Sequence, residues 1–410
     1  ARWTDDGAVR LPEGATADEA VLAAPGPRTA VRQAERLDVP AEVLERLRAE
    51  VLAAHGAALA DGVSALEEAV AVAAERTGGR VRRYAQAAAN DRPGGAALRR
   101  ALASGAAVVH GARVTALRVR RRRVIGVEGV LVDPARMTEL GTFRLDARAV
   151  LLCSSAIEAV GLVQEAGLGA VRRGATVGLD VTAFLPVRGG PSHARWGWRT
   201  SPVEAVSYRR QVVGESDEGR SVRVGAARLE AADLAVAVPG YGPDHVERLR
   251  PFADGRALAV TWTGLVGASV RARRGARPEV RRLDPPDAQR VLAFGLQEAA
   301  RLAAAVGGDG VLLPLSPARL LRTDEDVERA VSAGELGVHV PRLWARTARG
   351  GLVAGEAESC VADAAGCVRG VDGLRVAGIA ALGPELVQPP LLEVLVDGAR
   401  VGALLGDALR

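Results

Sequence analysis

The sequence has no lysine, so all 54 of its basic side chains are arginines. This absence excludes every Schiff-base and lysine-amine mechanism. Cysteine is scarce: Cys153, Cys360 and Cys367 lack metal-ligand spacing and are too few for a disulfide framework. Aromatic residues make up only 3% of the chain, so its core must be built from alanine, valine and leucine.

Long apolar runs are also missing. No stretch reaches the roughly 18 uninterrupted apolar residues that span a bilayer, and the first residues, ARWTDD, are not typical of a signal peptide. Together with the sparse cysteines, this predicts a cytoplasmic protein with no membrane span. The chain begins with Ala1 instead of methionine, so we expect that it was processed or that residues upstream of it are missing.

The net charge is +5, and the one dense basic run is Arg118–Arg123, RVRRRR. It lies between two strand-like segments and has neither a nucleic-acid motif nor interleaved aromatic residues. We interpret it as a solvated hairpin turn in preference to an anion or nucleic-acid patch, and expect no nucleic-acid partner.

Periodic apolar residues and turn signals predict the secondary structure. Helices are expected over 41–58, 62–76 with Asp61 as N-cap, 95–104, 157–166, 286–306 and 391–408. Short strands are expected at 107–110, 114–119 and 124–132, and a mostly antiparallel sheet over 181–280. Segment 149–153 is wholly apolar and segment 374–380 is apolar apart from Arg375, as is typical of buried parallel strands, so we expect them side by side in one α/β layer.

Two segments resemble the glucose–methanol–choline (GMC) family of flavin oxidoreductases. The first is 101–169, where ARAVLLCSSAIEAVGLVQEAGLG is similar to the family's "A-R-x-V-V-L-A-A-G-A-I-x-S/T-P-x-L-L-x-x-S-G-L/I-G". The second is 359–410, where GCVRGVDGLRVAG follows the family's closing signature. A third stretch, 238–306, matches only in its succession of segments. The likeness is greatest to the long-chain alcohol oxidase and cholesterol-oxidase-like branch.

The resemblance implies an α/β fold class: a partial Rossmann-like FAD-type domain with a second, mostly antiparallel sheet plus helices. It divides the chain into a helical region (1–105), a discontinuous FAD-domain-like layer (106–170 and 350–410) and a substrate-domain-like sheet with helices (171–349).

The sequence departs from the family at the cofactor. The family's N-terminal strand with G-x-G-x-x-G, which holds the FAD pyrophosphate, has no counterpart. Ser154 and Ser155 replace Ala-Gly, and Gly378 replaces an aspartate that meets the cofactor. The resemblance therefore implies FAD only if the missing segment is supplied, and its cofactor-facing positions are Ser154, Ser155, Ala156, Gly378, Ile379 and Pro389.

The catalytic positions are altered as well. The register of the family's catalytic histidine falls near Trp344, and His339 is the only histidine close by. It would serve as base if a short insertion is allowed, and is otherwise a surface or capping imidazole. Gln388 stands where the family has asparagine or histidine; it can donate a hydrogen bond to the substrate oxygen but cannot titrate.

Three functions follow from these observations. The chain is a GMC-type FAD-dependent alcohol oxidoreductase, or a subunit or fragment of one; or it is a catalytically inactive structural or partner subunit; or it is a non-redox enzyme on the same scaffold. No metal site is expected, and a hydrophobic alcohol is the expected substrate.

The missing segment also predicts association. The resemblance places the absent G-x-G-x-x-G strand between 149–153 and 374–380, whose edges would otherwise attract other strands. We expect upstream residues or a partner chain, such as a more complete GMC homologue, to supply it. The alternative is that the two strands pair directly and leave a stable monomer.

Overall fold

The computed structural model describes residues 2–3, 9–10, 21–22, 27–54, 58–59, 64–76, 80–83, 85–86, 95–133, 135–136, 138–169, 171, 174–191, 203–207, 222–273, 276–283, 288–313, 318–323, 325–326, 329–330, 344–383 and 391–410. The helices in these residues are α1 (Pro27–Leu37), α2 (Ala41–Ala54), α3 (Ala65–Arg76), α4 (Gly95–Ala103), α5 (Ala156–Glu165), α6 (Ala231–Ala237), α7 (Pro243–Leu249), α8 (Ala288–Ala305) and α9 (Leu391–Leu409).

Each helix predicted from apolar periodicity is present, with ends shifted by a few residues. The start of α3 shows why: Ser64 Oγ accepts from the Glu67 N–H at 3.2 Å, while the Ser64 N–H donates to Glu67 Oε2 at 2.7 Å. This reciprocal capping box fixes the first turn. The predicted cap, Asp61, lies outside the described residues. Among the described helices, none combines the length and apolar composition needed to cross a bilayer.

The strands are β1 (Arg2–Trp3), β2 (Val9–Arg10), β3 (Val21–Leu22), β4 (Ala58–Leu59), β5 (Arg80–Arg83), β6 (Ala85–Gln86), β7 (Ala112–Arg120), β8 (Arg123–Val132), β9 (Glu139–Asp146), β10 (Val150–Leu152), β11 (Ala175–Arg188), β12 (Val203–Ser207), β13 (Val222–Arg228), β14 (Arg256–Arg273), β15 (Ala276–Leu283), β16 (Gly310–Leu313), β17 (Arg319–Leu321), β18 (Trp344–Arg349) and β19 (Leu374–Val376).

A nine-stranded sheet forms the centre of the molecule, in the order β17-β16-β11-β14-β13-β12-β5, with β15 beside β14 and β18 beside β11. Its pairs are antiparallel, which confirms the prediction for 181–280. One face of β11 and β14 joins the main core through side chains such as Leu185 and Leu258. The other face carries Phe184 and packs on Leu234 and Phe252.

A separate three-stranded meander, β7-β8-β9, precedes the parallel strands. Its first turn is the arginine run: β7 ends at Arg120, β8 begins at Arg123, and Arg121 and Arg122 have φ of 51° and 64°. The hairpin-turn interpretation is therefore confirmed.

The strand predicted at 107–110 is wrong. Val108 and Val109 are exposed, and this apolar run pairs with no strand among the described residues. The third strand of the meander is β9, which the periodicity did not reveal: its side chains are exposed at almost every position, so it lacks the apolar alternation of a half-buried strand.

The two apolar segments meet as predicted. β10 and β19 pair in parallel, with Val150 opposite Leu374 and Leu152 opposite Val376. The expectation of an intervening strand between them is therefore wrong, and the alternative of direct pairing holds. β19 ends earlier than predicted, since Gly378 adopts φ +73° and turns the chain into a 3-10 turn, Gly378–Ala380. The α/β fold class is confirmed; the three-part division of the chain stays a prediction.

Candidate functional site

The carboxyl ends of β10 and β19 bring the predicted cofactor positions together. The Ala377 N–H donates to Leu152 O at 3.0 Å, so residues 153–156 and 378–380 both follow the carboxyl end of the parallel pair. Ligands of open α/β sheets bind at this kind of edge. Five predicted positions lie here: Ser154, Ser155, Ala156, Gly378 and Ile379. Pro389 lies outside the described residues, as do both predicted catalytic residues, His339 and Gln388.

The helix that follows β10, α5, is capped at its N-terminus by side chains of its own first residues. Ser155 Oγ accepts from the Glu158 N–H at 3.3 Å and donates to Glu158 Oε2 at 3.0 Å. The cap uses one of the free N–H groups of α5, and Glu158 places a carboxylate beside them. Both effects oppose the binding of a phosphate at this helix end.

Ser154 behaves differently. Its Oγ is buried and has no hydrogen-bond partner among the described residues. A buried hydroxyl without a partner is costly, so this atom calls for a polar group that the described chain does not provide.

A carboxylate from the C-terminal helix also reaches the strand ends. Asp397 Oδ2 accepts from the Gly378 N–H at 2.8 Å, and Asp397 Oδ1 accepts from Arg400 at 2.7 Å. Burial, and then the charge of Asp397, raises the pKa of the nearby Cys153 thiol. Sequence analysis missed Asp397; only its helical spacing from Arg400 hinted at a pair.

The large sheet meets the strand ends through β18. Beyond its last residue, the Gly350 N–H donates to Ile379 O at 2.9 Å, and the Leu352 N–H donates to Ala380 O at 3.1 Å. The last residue itself, Arg349, forms a buried ion pair with Asp180 of β11. A buried charged pair thus lies at the junction between the sheet and the candidate site.

A second buried ion pair holds α9 against the N-terminal helices. Glu393, in the first turn of α9, accepts from Arg48 Nε at 2.8 Å and from Gln33 Nε2 at 2.7 Å. Burial opposes the charge of Arg48, but the hydrogen bonds and charges of Glu393 and Glu45 together outweigh it, and the pKa of Arg48 is raised. The network fixes the start of the helix whose Asp397 contacts the strand ends.

Comparison with known proteins gives a match for the structure but none for the sequence. No family model and no curated protein matches the sequence. The solved structures that match the fold include three that are each covered over 72% of their own length: pyridoxine 4-oxidase from Mesorbium loti (15% identity, TM-score 0.55, 86% of this chain), formate oxidase from Aspergillus oryzae RIB40 (13%, 0.57, 86%) and an FAD-dependent oxidoreductase from Chaetomium thermophilum (13%, 0.51, 84%).

This chain has the fold of the GMC flavin oxidoreductases. Five of the residues that the sequence resemblance assigns to the cofactor lie at the strand ends of β10 and β19. Here their residues fit FAD only in part: the buried Ser154 hydroxyl lacks a partner, but the self-capped α5 offers no pyrophosphate site. A complete FAD site needs donors beyond the described residues.

Proposed function

We propose that this chain is a GMC-type FAD-dependent alcohol oxidoreductase, or a subunit or fragment of one. Its FAD site is completed by a further strand–turn–helix segment that lies beside β10. The main observation behind the proposal is that, in the described chain, β10 pairs with a neighbouring strand on only one of its two edges.

The open edge of β10 is defined by its hydrogen bonds. The Val150 N–H donates to Gly373 O at 2.8 Å and Leu152 O accepts from Ala377, so both residues bond toward β19. Successive residues of a strand direct their backbone groups to opposite sides, and those of Leu151 therefore point away from β19. An edge of this kind is a template for a further strand.

The meander, whose strand β8 contacts β10, carries a partly uncovered apolar surface. Cross-strand register places Val114, Leu131, Phe143 and Leu145 on one face of β7-β8-β9. The same face enters the main core through Leu117. The other four residues do not belong to that core, and Leu145 is 58% exposed. The proposed segment would cover these side chains.

The relatives support the flavin part of the proposal. Their names describe oxidases and an FAD-dependent oxidoreductase, and more than a quarter of each has no counterpart in the matched chain. In such an enzyme FAD, when bound, accepts hydride from the alcohol. The proposed roles of this chain's residues are those of base for His339, which takes the hydroxyl proton, and of hydrogen-bond donor to the substrate oxygen for Gln388.

The second candidate is an inactive partner subunit. The capping of α5 by Ser155 and Glu158 favours it, because a carboxylate at a helix N-terminus repels a phosphate. In this case the chain binds a more complete GMC homologue and contributes no chemistry.

The proposal is tested on protein purified from its native source, by light scattering coupled to size exclusion with absorbance between about 350 and 500 nm. We expect flavin absorbance in a species that contains the additional segment or a partner chain. A monodisperse species near 42.5 kDa without flavin absorbance would overturn the oxidoreductase assignment. A complex without flavin would favour the inactive subunit.

Two variants of β10 locate the added segment. Leu151→Pro removes the N–H that faces the open edge, and should abolish both association and flavin. Leu151→Val keeps that N–H and serves as the matched control. If both variants retain flavin equally, the added strand lies elsewhere.

A further inference from the structure

Asp180 occupies an irregular point in the middle of the large sheet. The pairing of β11 with β14 shifts register between Leu179 and Val181, and its pairing with β18 shifts between Asp180 and Val181. Irregularities of this kind re-aim a side chain and are frequent next to active sites. The residue of β11 that lies opposite both irregularities is Asp180, a carboxylate that is only 4% exposed.

The two carboxylate oxygens of Asp180 differ. Oδ2 is paired with Arg349, whereas Oδ1 is buried without a hydrogen-bond partner among the described residues. Leaving such an acceptor unsatisfied is expensive, more so for a charged group than for a neutral one. The geometry therefore calls for a donor at Oδ1.

The position of Asp180 connects it to the candidate site. Its partner Arg349 precedes Gly350, which bonds to Ile379 at the strand ends. Further along β11, Thr182 Oγ1 and Thr261 Oγ1 share a hydrogen bond of 3.0 Å. The two threonine hydroxyls thus satisfy each other, whereas Asp180 Oδ1 has no partner among the described residues.

We infer that Asp180 is a substrate-binding residue that accepts a hydrogen bond from a second hydroxyl group of the substrate. This inference rests on the proposed function, since it assigns a substrate class to the same site: alcohols that carry at least two hydroxyl groups, instead of simple aliphatic alcohols. A hydroxyl fits better than an ammonium group, because Arg349 already balances the charge of the carboxylate.

The test compares ligands that differ by one hydroxyl group. Binding of n-propanol, propylene glycol and trimethylene glycol is measured by ligand-observed saturation-transfer NMR on the full chain, with n-propylamine as the ammonium probe. A hydrogen bond to a charged acceptor should make at least one diol bind about tenfold more tightly than n-propanol. Equal affinities, no binding of either diol, or preference for the amine would overturn the inference.

The variant Asp180→Leu/Arg349→Met removes both charges together, which avoids leaving one of them buried alone. We expect it to fold and to bind diols and n-propanol equally. Thr182→Val/Thr261→Val is the control, and should keep the diol preference. If the first double variant does not fold, Asp180→Asn replaces it, with the diol preference reduced. A preference that survives in the charge-free variant would contradict the role of Asp180.

Failure of the Asp180 inference can be distinguished from failure of the proposed function, because ligand binding measured by NMR does not depend on turnover or flavin. If flavin assembles with the chain but no diol preference is found, only the Asp180 inference fails. If the preference is found but flavin never binds, the oxidoreductase proposal fails and the diol site stands.

Discussion

The large antiparallel sheet and the small parallel pair differ in how fully their strands are paired. The central strands of the sheet, β11 and β14, have neighbours on both edges and core residues on both faces. The parallel pair has one edge bonded to nothing in the described chain, and the meander beside it leaves an apolar face partly uncovered. The added segment that we propose would complete the parallel pair, whereas the central strands of the sheet already have both neighbours.

Buried polar atoms without partners among the described residues occur in both regions. In the sheet, the hydroxyls of Thr182 and Thr261 satisfy each other, whereas Asp180 Oδ1 has no partner. At the strand ends, Ser154 Oγ is buried without a partner as well. Asp180 and Ser154 are therefore the two positions in these regions at which we expect a ligand to supply a hydrogen-bond partner.

The largest effect should come from the ion pair that anchors α9 beside the parallel strands. Glu393→Ala removes the buried counter-ion of Arg48 and leaves only the exposed Glu45, and should cost about 3–5 kcal/mol of unfolding free energy in urea. The control is Glu45→Ala, which removes the exposed partner of the same arginine and should cost about 1 kcal/mol or less. Equal costs would mean that Glu393 does not anchor the helix.

A matched pair of truncations compares the two regions directly. Leu258→Ala in β14 removes a side chain that is fully buried, and should cost about 2–5 kcal/mol. Leu151→Ala in β10 removes one that is half-buried, and should cost clearly less in the isolated chain. In the flavin-containing complex the cost of Leu151→Ala should rise. Equal costs in the isolated chain, measured by urea unfolding, would break the comparison.

The threonine pair tests whether the sheet is satisfied within itself. Thr182→Val leaves the Thr261 hydroxyl buried without its partner and should cost about 1–3 kcal/mol. The double variant Thr182→Val/Thr261→Val should recover most of that loss. A double variant as unstable as the single one would indicate another role for Thr261.

The smallest effect concerns the exposed face of the meander. A hydrogen bond from Arg118, and then its charge, lowers the pKa of Asp146. This pair therefore stabilises the fold above the ordinary carboxyl pKa, and its contribution is lost as the pH falls through the folded-state pKa. Carboxyl NMR titration should give a higher pKa for Asp146 in the variant Arg118→Gln. The pKa of Asp146 should be unchanged in the control Arg113→Gln, because Arg113 pairs with Glu139 instead. A shift of equal size in both variants would contradict this pairing.

Sequence reasoning succeeded where a pattern reflects burial. Residues 150–152 are apolar, as are 374–376 apart from Arg375, and this predicted that the two segments lie in one layer although they are far apart in the chain. It failed at Val108 and Val109, which are apolar but exposed and belong to no described strand.

The candidate site was only half predictable. The turns after β10 and β19 follow from the family resemblance. The contacts of Asp180 with Arg349 and of Asp397 with Gly378 join residues 169 and 19 positions apart, and no local pattern reveals them. They depend on register and on helix packing, which a single sequence does not specify.

The most direct test of the central claim is amide hydrogen exchange at Leu151, compared with its neighbours Val150 and Leu152. In the isolated chain we expect the Leu151 N–H to exchange much faster than theirs, because it faces the open edge of β10. In the flavin-containing complex, the added strand should protect it to the same degree as its neighbours. Protection of Leu151 in the isolated, flavin-free chain, or fast exchange in the complex, would contradict the account.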